Sequence, residues 1–145
     1  DRQLKGRIVH NPRSNMNNCV GYAAPTKQSN TTLLGTDGIG SDMLEEFRLG
    51  YARLREFDIS ETPLTPWSWL ENGYHYFPEA RMDKIVWSYD YADEPWKLAF
   101  TTGVHPIDVT VDGEHVIRDG VTTKFDLQEV RRKASEQATK LHERL

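Results

Sequence analysis

Cysteine is nearly absent from this 145-residue chain, and the single Cys19 excludes an internal disulfide, so the fold does not rest on oxidation and a reducing cytoplasm is the expected setting. No histidine lies near Cys19 in sequence, which makes a structural cysteine the plainer reading than a catalytic thiol. Long apolar runs are missing too: nothing approaches the roughly 18 residues of a membrane-spanning segment, and no secretory leader is visible. Positive charge is not in excess. With 18 Lys and Arg against 22 Asp and Glu, and with the run Arg131-Arg132-Lys133 set among acids on a helix, the chain offers no stripe for nucleic acid. Histidine pairs at ligand spacing are lacking as well. His10, His75, His105, His115 and His142 stand too far apart for an i, i+2 or i, i+4 motif, so a self-contained zinc site is not expected.

What is present suits a folded protein. Hydrophobic residues make up 37% and charged residues 28%, well away from the composition of disordered chains, and the length allows one ordinary core. Asp1 runs within a few residues into an apolar strand, an unusual start that suggests a fragment of a longer protein.

Arg7 to His10 reads as a short buried strand stopped at Asn11-Pro12, followed by a long polar loop from Arg13 to Asn30 that holds Asn15, Asn17 and Asn18. Thr31 to Leu34 reads as a second strand, ended by Gly35-Thr36-Asp37-Gly38. Asp42 with Glu45 makes a capping box for a helix to about Phe57 lined by Met43, Leu44, Phe47, Tyr51 and Leu54. Thr65-Pro66 starts another, with Trp67, Leu70, Tyr74 and Phe77 on one side. Beyond Pro78 the pattern becomes β: Lys84 to Tyr89, then Ile107 to Val111 joined to Glu114 to Arg118 by the hairpin dipeptide Asp112-Gly113, then Val121 to Lys124 after Asp119-Gly120. Asp126 with Glu129 opens a last helix striped by Leu127, Val130, Ala134, Ala138, Leu141 and Leu145. Of the tryptophans, Trp67 and Trp87 fall on the expected buried faces, so core packing is preferred to a stacking surface.

Two motifs at strand ends, His10-Asn11-Pro12-Arg13-Ser14-Asn15 and Gly35-Thr36-Asp37-Gly38, together resemble the seventh and eighth barrel strands of the amidohydrolase superfamily, in the branch of hydrolytic purine and nucleoside deaminases and s-triazine chlorohydrolases, with SsnA-type aminohydrolases most similar. The acidic helix from Ser41 to Arg48 and the hairpin from Ile107 to Gly120 extend the likeness, which is poor from Ser60 to Arg81. The resemblance implies an α/β fold: the C-terminal portion of a (β/α)8 barrel plus part of a small β-sandwich lobe. Residues 1–81 would supply the last two barrel strands and the following helices, 82–124 the C-terminal part of the lobe, and 125–145 a terminal helix. The connection between the motifs is shorter than the family's helix-containing crossover, so a loop is expected there. The family's His-x-His pair and its further histidines lie on earlier strands, and those segments are not in this chain.

The implied chemistry is hydrolytic deamination or dechlorination of a nitrogen heterocycle, with a divalent ion, zinc by expectation, lowering the pKa of its water to roughly 7. By resemblance Asp37 is metal ligand and catalytic proton carrier. Taken alone, Asp37 before a glycine reads more simply as a turn residue, and it is the other motif beside it that reverses this preference. Ser14 and Asn15 would line the substrate pocket at the C-terminal face of the barrel, or make a local turn after Pro12. His10 marks the strand end beside the substrate, and a hydrogen-bonded structural histidine is the plainer reading. The isolated chain is expected to be inactive and to associate with the missing N-terminal barrel segment or with its own copies. The competing expectation is a non-catalytic interaction module that uses exposed strand edges or the amphipathic last helix.

Overall fold

The computed structural model describes residues 6–144. It is a mixed α/β chain of two compact units, one comprising residues up to Arg81 together with Tyr89–Val104, the other Met82–Ser88 with His105 onward. The sequence-based division ran from 82 to 124 without a break; Tyr89–Val104 instead belongs to the first unit.

In the first unit, β1 (Ile8–His10) and β2 (Thr32–Leu34) pair in parallel, His10 opposite Leu34. Parallel neighbours need a crossover, and it is not the plain loop expected from the sequence. Pro12–Asn17 forms a short helix, α1, and Pro25–Lys27 a 3-10 turn. Pro12 occupies the first helical position, where its fixed φ suits the helix and its missing N–H is not needed. The bond from Asn15 N–H to Asn11 O (2.9 Å) closes the turn.

α2 (Met43–Phe57) matches expectation. Asp42 caps it, its Oδ1 accepting from the Leu44 and Glu45 amides. The reciprocal half of the expected capping box does not form, because the Glu45 carboxylate pairs with Arg48 and Arg13. Leu44, Phe47, Tyr51 and Leu54 are buried, Phe47 and Leu54 completely.

α3 (Leu64–Tyr76) departs from the sequence reading in both cap and face. Pro63 precedes it, Thr62 Oγ1 accepts from the Leu64 amide, and Thr65 donates to Glu61. Pro66 and Trp69 are the buried residues, while Tyr74 and Phe77 are exposed and Trp67 is half-buried. The strand pair selects this face: α3 packs on β2, and Asn72 Nδ2, on the same side as Pro66 and Trp69, donates to Thr32 O at 2.8 Å.

α4 (Pro95–Phe100) was not foreseen. Leu98 buries itself in the first unit, and the Arg48 guanidinium donates to the Leu98 and Thr101 carbonyls, the open acceptors at the end of this helix.

The second unit holds an antiparallel sheet in the order β3 (Lys84–Trp87), β4 (Pro106–Val111), β5 (Glu114–Arg118), β6 (Val121–Thr122). Both Asp-Gly pairs lie at positive φ, Asp112 and Gly113 at 49° and 79°, Asp119 and Gly120 at 51° and 74°, as hairpin turns matched to strand twist require. α5 (Leu127–His142) follows Asp126 as expected but buries no residue, so its apolar stripe from Leu127 to Leu141 is open, Leu145 lying outside the described residues. No described residue of this unit is buried, and Trp87 is half-exposed.

Candidate functional site

The parallel pair delivers two loops to the same end of the sheet, and there Ser14 and Asp37 meet. Ser14, buried on α1, donates its hydroxyl to Asp37 Oδ2 at 2.6 Å. Asp37 Oδ1 accepts from the Gly38 amide at 2.7 Å. Asn18 Nδ2 donates to Ser14 Oγ at 3.2 Å, and Asn18 Oδ1 accepts from Asn17. Because Asn18 occupies a lone pair of Ser14 Oγ, the one hydroxyl proton is left for the carboxylate. Asp37 takes a left-handed backbone conformation, φ 52°, which aspartate tolerates better than most residues. The Ser14 hydrogen bond first, and the Gly38 amide second, hold the Asp37 carboxyl below its ordinary range against a small opposing effect of desolvation. The side chain faces solvent while its oxygens are fixed.

Gly35 is required for a close approach: a Cβ there would stand 2.5 Å from Asn11 Oδ1 and 2.6 Å from Val9 Cγ1. Gly38 has open space at the same test, so its use is the amide it gives to Asp37.

Asn15 is half-buried next to Ser14, and its side chain makes no hydrogen bond to another described residue. His10 does not join this group. Its ring is 3% exposed and packs edge-on against Trp69 at 5.8 Å and Tyr22 at 6.3 Å. The hydrogen bond expected for it is missing among the described residues: neither ring nitrogen has a partner there, and the buried Tyr22 hydroxyl has none either. Burial in this aromatic layer lowers the His10 pKa because an imidazolium there has lost its water. Burial, then the negative charge of Glu61, raises that of Tyr22 against the pull of Arg53.

Glu46 and Asn18 were not singled out from the sequence. Glu46, 1% exposed, accepts the Arg13 amide at 3.1 Å and Arg13 Nε at 3.2 Å. The signal was readable: Glu46 stands one and two helical turns before Gly50 and Leu54, on the face that packs, and a carboxylate there needs a partner.

Among the described residues no cluster of three or more His, Cys, Asp or Glu side chains is placed to share a metal ion. Protein zinc sites use three or four ligands, so Asp37 could supply only one corner of such a site and the described residues do not complete it. A separate concavity of about 710 Å³ lies on the sheet of the second unit, between Lys84, Asp108, Thr110, His115 and Arg118. It is an uncovered sheet face, open to solvent and without a buried polar group. No helix among the described residues is long and apolar enough to cross a membrane. A scan of the chain against protein-family models finds no match, which leaves the chemistry of Ser14, Asn18 and Asp37 to carry a functional reading.

Proposed function

We propose that this chain is the C-terminal part of a metal-dependent amidohydrolase that deaminates or dechlorinates a nitrogen heterocycle, and that Asp37 is its contribution to the metal site. The reading rests on one observation: two strand-end motifs that resemble the seventh and eighth strands of such a barrel converge, with Ser14 donating to Asp37 Oδ2 at 2.6 Å. A parallel β1–β2 pair with helices against it is the local architecture a (β/α)8 barrel needs. Val9, 55% exposed in the middle of β1, fits a strand whose barrel neighbours come from another segment.

The ion, zinc by this reading, would supply a nucleophilic water at neutral pH, and its remaining ligands would come from outside this chain. Within the chain, Ser14 and the Gly38 amide stabilise Asp37 as an anion. That suits an ion ligand better than a base, since a base works best with a pKa near the operating pH. Ser14 thereby becomes a residue that aims Asp37, while Asn15, with an uncommitted amide, is the group left to meet a polar heterocycle. His10, held in the aromatic layer, has no direct part in this scheme.

The test is reconstitution with the upstream barrel segment, scoring zinc-dependent release of ammonia or chloride from a panel of aminopurines and chlorotriazines. Activity that disappears in Asp37→Ala supports the reading; a reconstituted barrel with no release, or with release indifferent to Asp37, overturns it. Calorimetric titration of the isolated chain with zinc should show no tight site. Tight binding lost in Asp37→Ala would mean that the chain completes a site by itself.

A second reading, a non-catalytic interaction module, is favoured by the open stripe of α5, where Val130 and Leu141 are 47% and 59% exposed. Monomeric behaviour in analytical ultracentrifugation, unaltered by charged substitutions on that stripe, would count against association through it.

A further inference from the structure

We propose that Glu46 is a positioning residue for the Asp37 carboxylate, acting through Arg13 and Ser14. What Asp37 is positioned for rests on the amidohydrolase reading; the mechanical link does not.

The argument begins with α1, which has six residues and is too short to hold its own shape in water. Asn11, in the capping position, gives it no side-chain hydrogen bond. The donor left open at its second residue, the Arg13 amide, is taken by Glu46 Oε2, while Glu46 Oε1 takes Arg13 Nε from the side. A carboxylate with 1% exposure is tolerated only when so paired. The bond to the Arg13 amide holds the first turn of α1 against α2, and the bond to Nε ties the Arg13 side chain to the same carboxylate.

Ser14 is the next residue. A 2.6 Å bond from its hydroxyl to Asp37 requires the turn to sit correctly, because such bonds weaken steeply with distance and angle. The apolar seat of the same turn is separate: Pro12 packs near Gly50, where an added Cβ would meet it at an ordinary 3.5 Å. Removing the Glu46 clamp should therefore leave α1 docked by Pro12 but free to rotate, so that the Ser14 hydroxyl no longer tracks Asp37.

Amide spectra of the isolated chain test this without metal or substrate. Glu46→Leu keeps the side-chain volume and removes both acceptors; Glu46→Gln keeps one and is the graded arm, and the fallback if the leucine variant does not fold. The expected result is an upfield displacement of the Arg13 amide and, with it, of the Gly38 amide, larger for Leu than for Gln. The Ser60 amide, bound to Asp58 in the same unit, should not move. In a Ser14→Ala background the Glu46 substitutions should leave Gly38 where Ser14→Ala alone puts it. Displacement of Arg13 with Gly38 unmoved would reduce Glu46 to a helix clamp, and a Gly38 response that survives Ser14→Ala would show that coupling bypasses Ser14; either overturns the proposal. Failure of the reconstitution assay with this coupling intact would remove the functional reading alone.

Discussion

Asp42 and Asp126 start their helices in the same way: each Oδ1 accepts two amides, at 2.9 and 3.1 Å, from the second and third residues that follow. α2 then buries Leu44, Phe47, Tyr51 and Leu54 against its neighbours, whereas α5, just as amphipathic by eye, buries nothing. The same contrast holds between the units. Among the described residues every buried side chain belongs to the first, and so do Ser14, Asn18, Glu46 and Asp37. Local signals suffice to make a helix or a hairpin, but a fixed constellation of side chains needs elements that are themselves fixed by packing.

The sharpest way to break this comparison is to cut into each helix at its apolar face. Phe47→Ala should destabilise the first unit by about 3–5 kcal/mol, read by urea denaturation with tryptophan fluorescence, since Trp67 lies edge-on to that ring at 5.6 Å. Leu141→Ala on α5 should change stability by less than about 0.5 kcal/mol. A comparable loss at Leu141 would mean that the stripe is covered in solution. The twin caps give a smaller contrast. Asp42→Ala should lower the main transition by about 1 kcal/mol, whereas Asp126→Ala should reduce far-UV helicity and leave that transition in place.

Titration sharpens the comparison further, because in a packed layer desolvation becomes the main cause of a shift, as it is for His10. His10 has a folded pKa below the ordinary 6.5, so below that value the unfolded chain binds a proton that the folded chain refuses. The stability tied to neutral His10 is therefore present above pH 6.5 and is lost as pH falls from there through the folded value. His10→Phe should flatten this part of the stability–pH curve of the first unit; an unchanged slope would show that the ring is not held dry. The smallest effect is expected at Asp37. Ser14→Ala should raise its titration midpoint toward that of an ordinary carboxylate, followed by carboxyl carbon shifts, while Asp58, held low mainly by Ser60, stays as it was. A midpoint that did not respond would remove Ser14 from the site.

Much of the fold was legible because it is written locally. Asp-Gly twice at hairpin positions, Asp caps three residues before glutamates, and apolar runs ended by Asn-Pro and Gly-Thr-Asp-Gly each specify a backbone conformation within a few residues. The missed elements depend on distant partners. α1 was read as loop because the acceptor for its first turn is Glu46, 33 residues away. α4 is held by Arg48 and by burial of Leu98, and the face of α3 was chosen by the strand pair rather than by its most hydrophobic stripe, which left Tyr74 and Phe77 outside. At the site, the sequence pointed to Ser14 and Asp37 through motifs at two strand ends. It could not show that His10 turns into the aromatic layer while Asn18 and Glu46 support the pair.

The amino-acid sequence by itself determined where helices begin, where hairpins turn, and which two strand ends carry polar chemistry, because dihedral preference and capping act over a few residues. Only the tertiary structure decided which faces became core, which charge could be buried, and which hydroxyl reached the carboxylate. Those outcomes depend on groups brought together from far along the chain, and their energies exist only once water has been removed from between them.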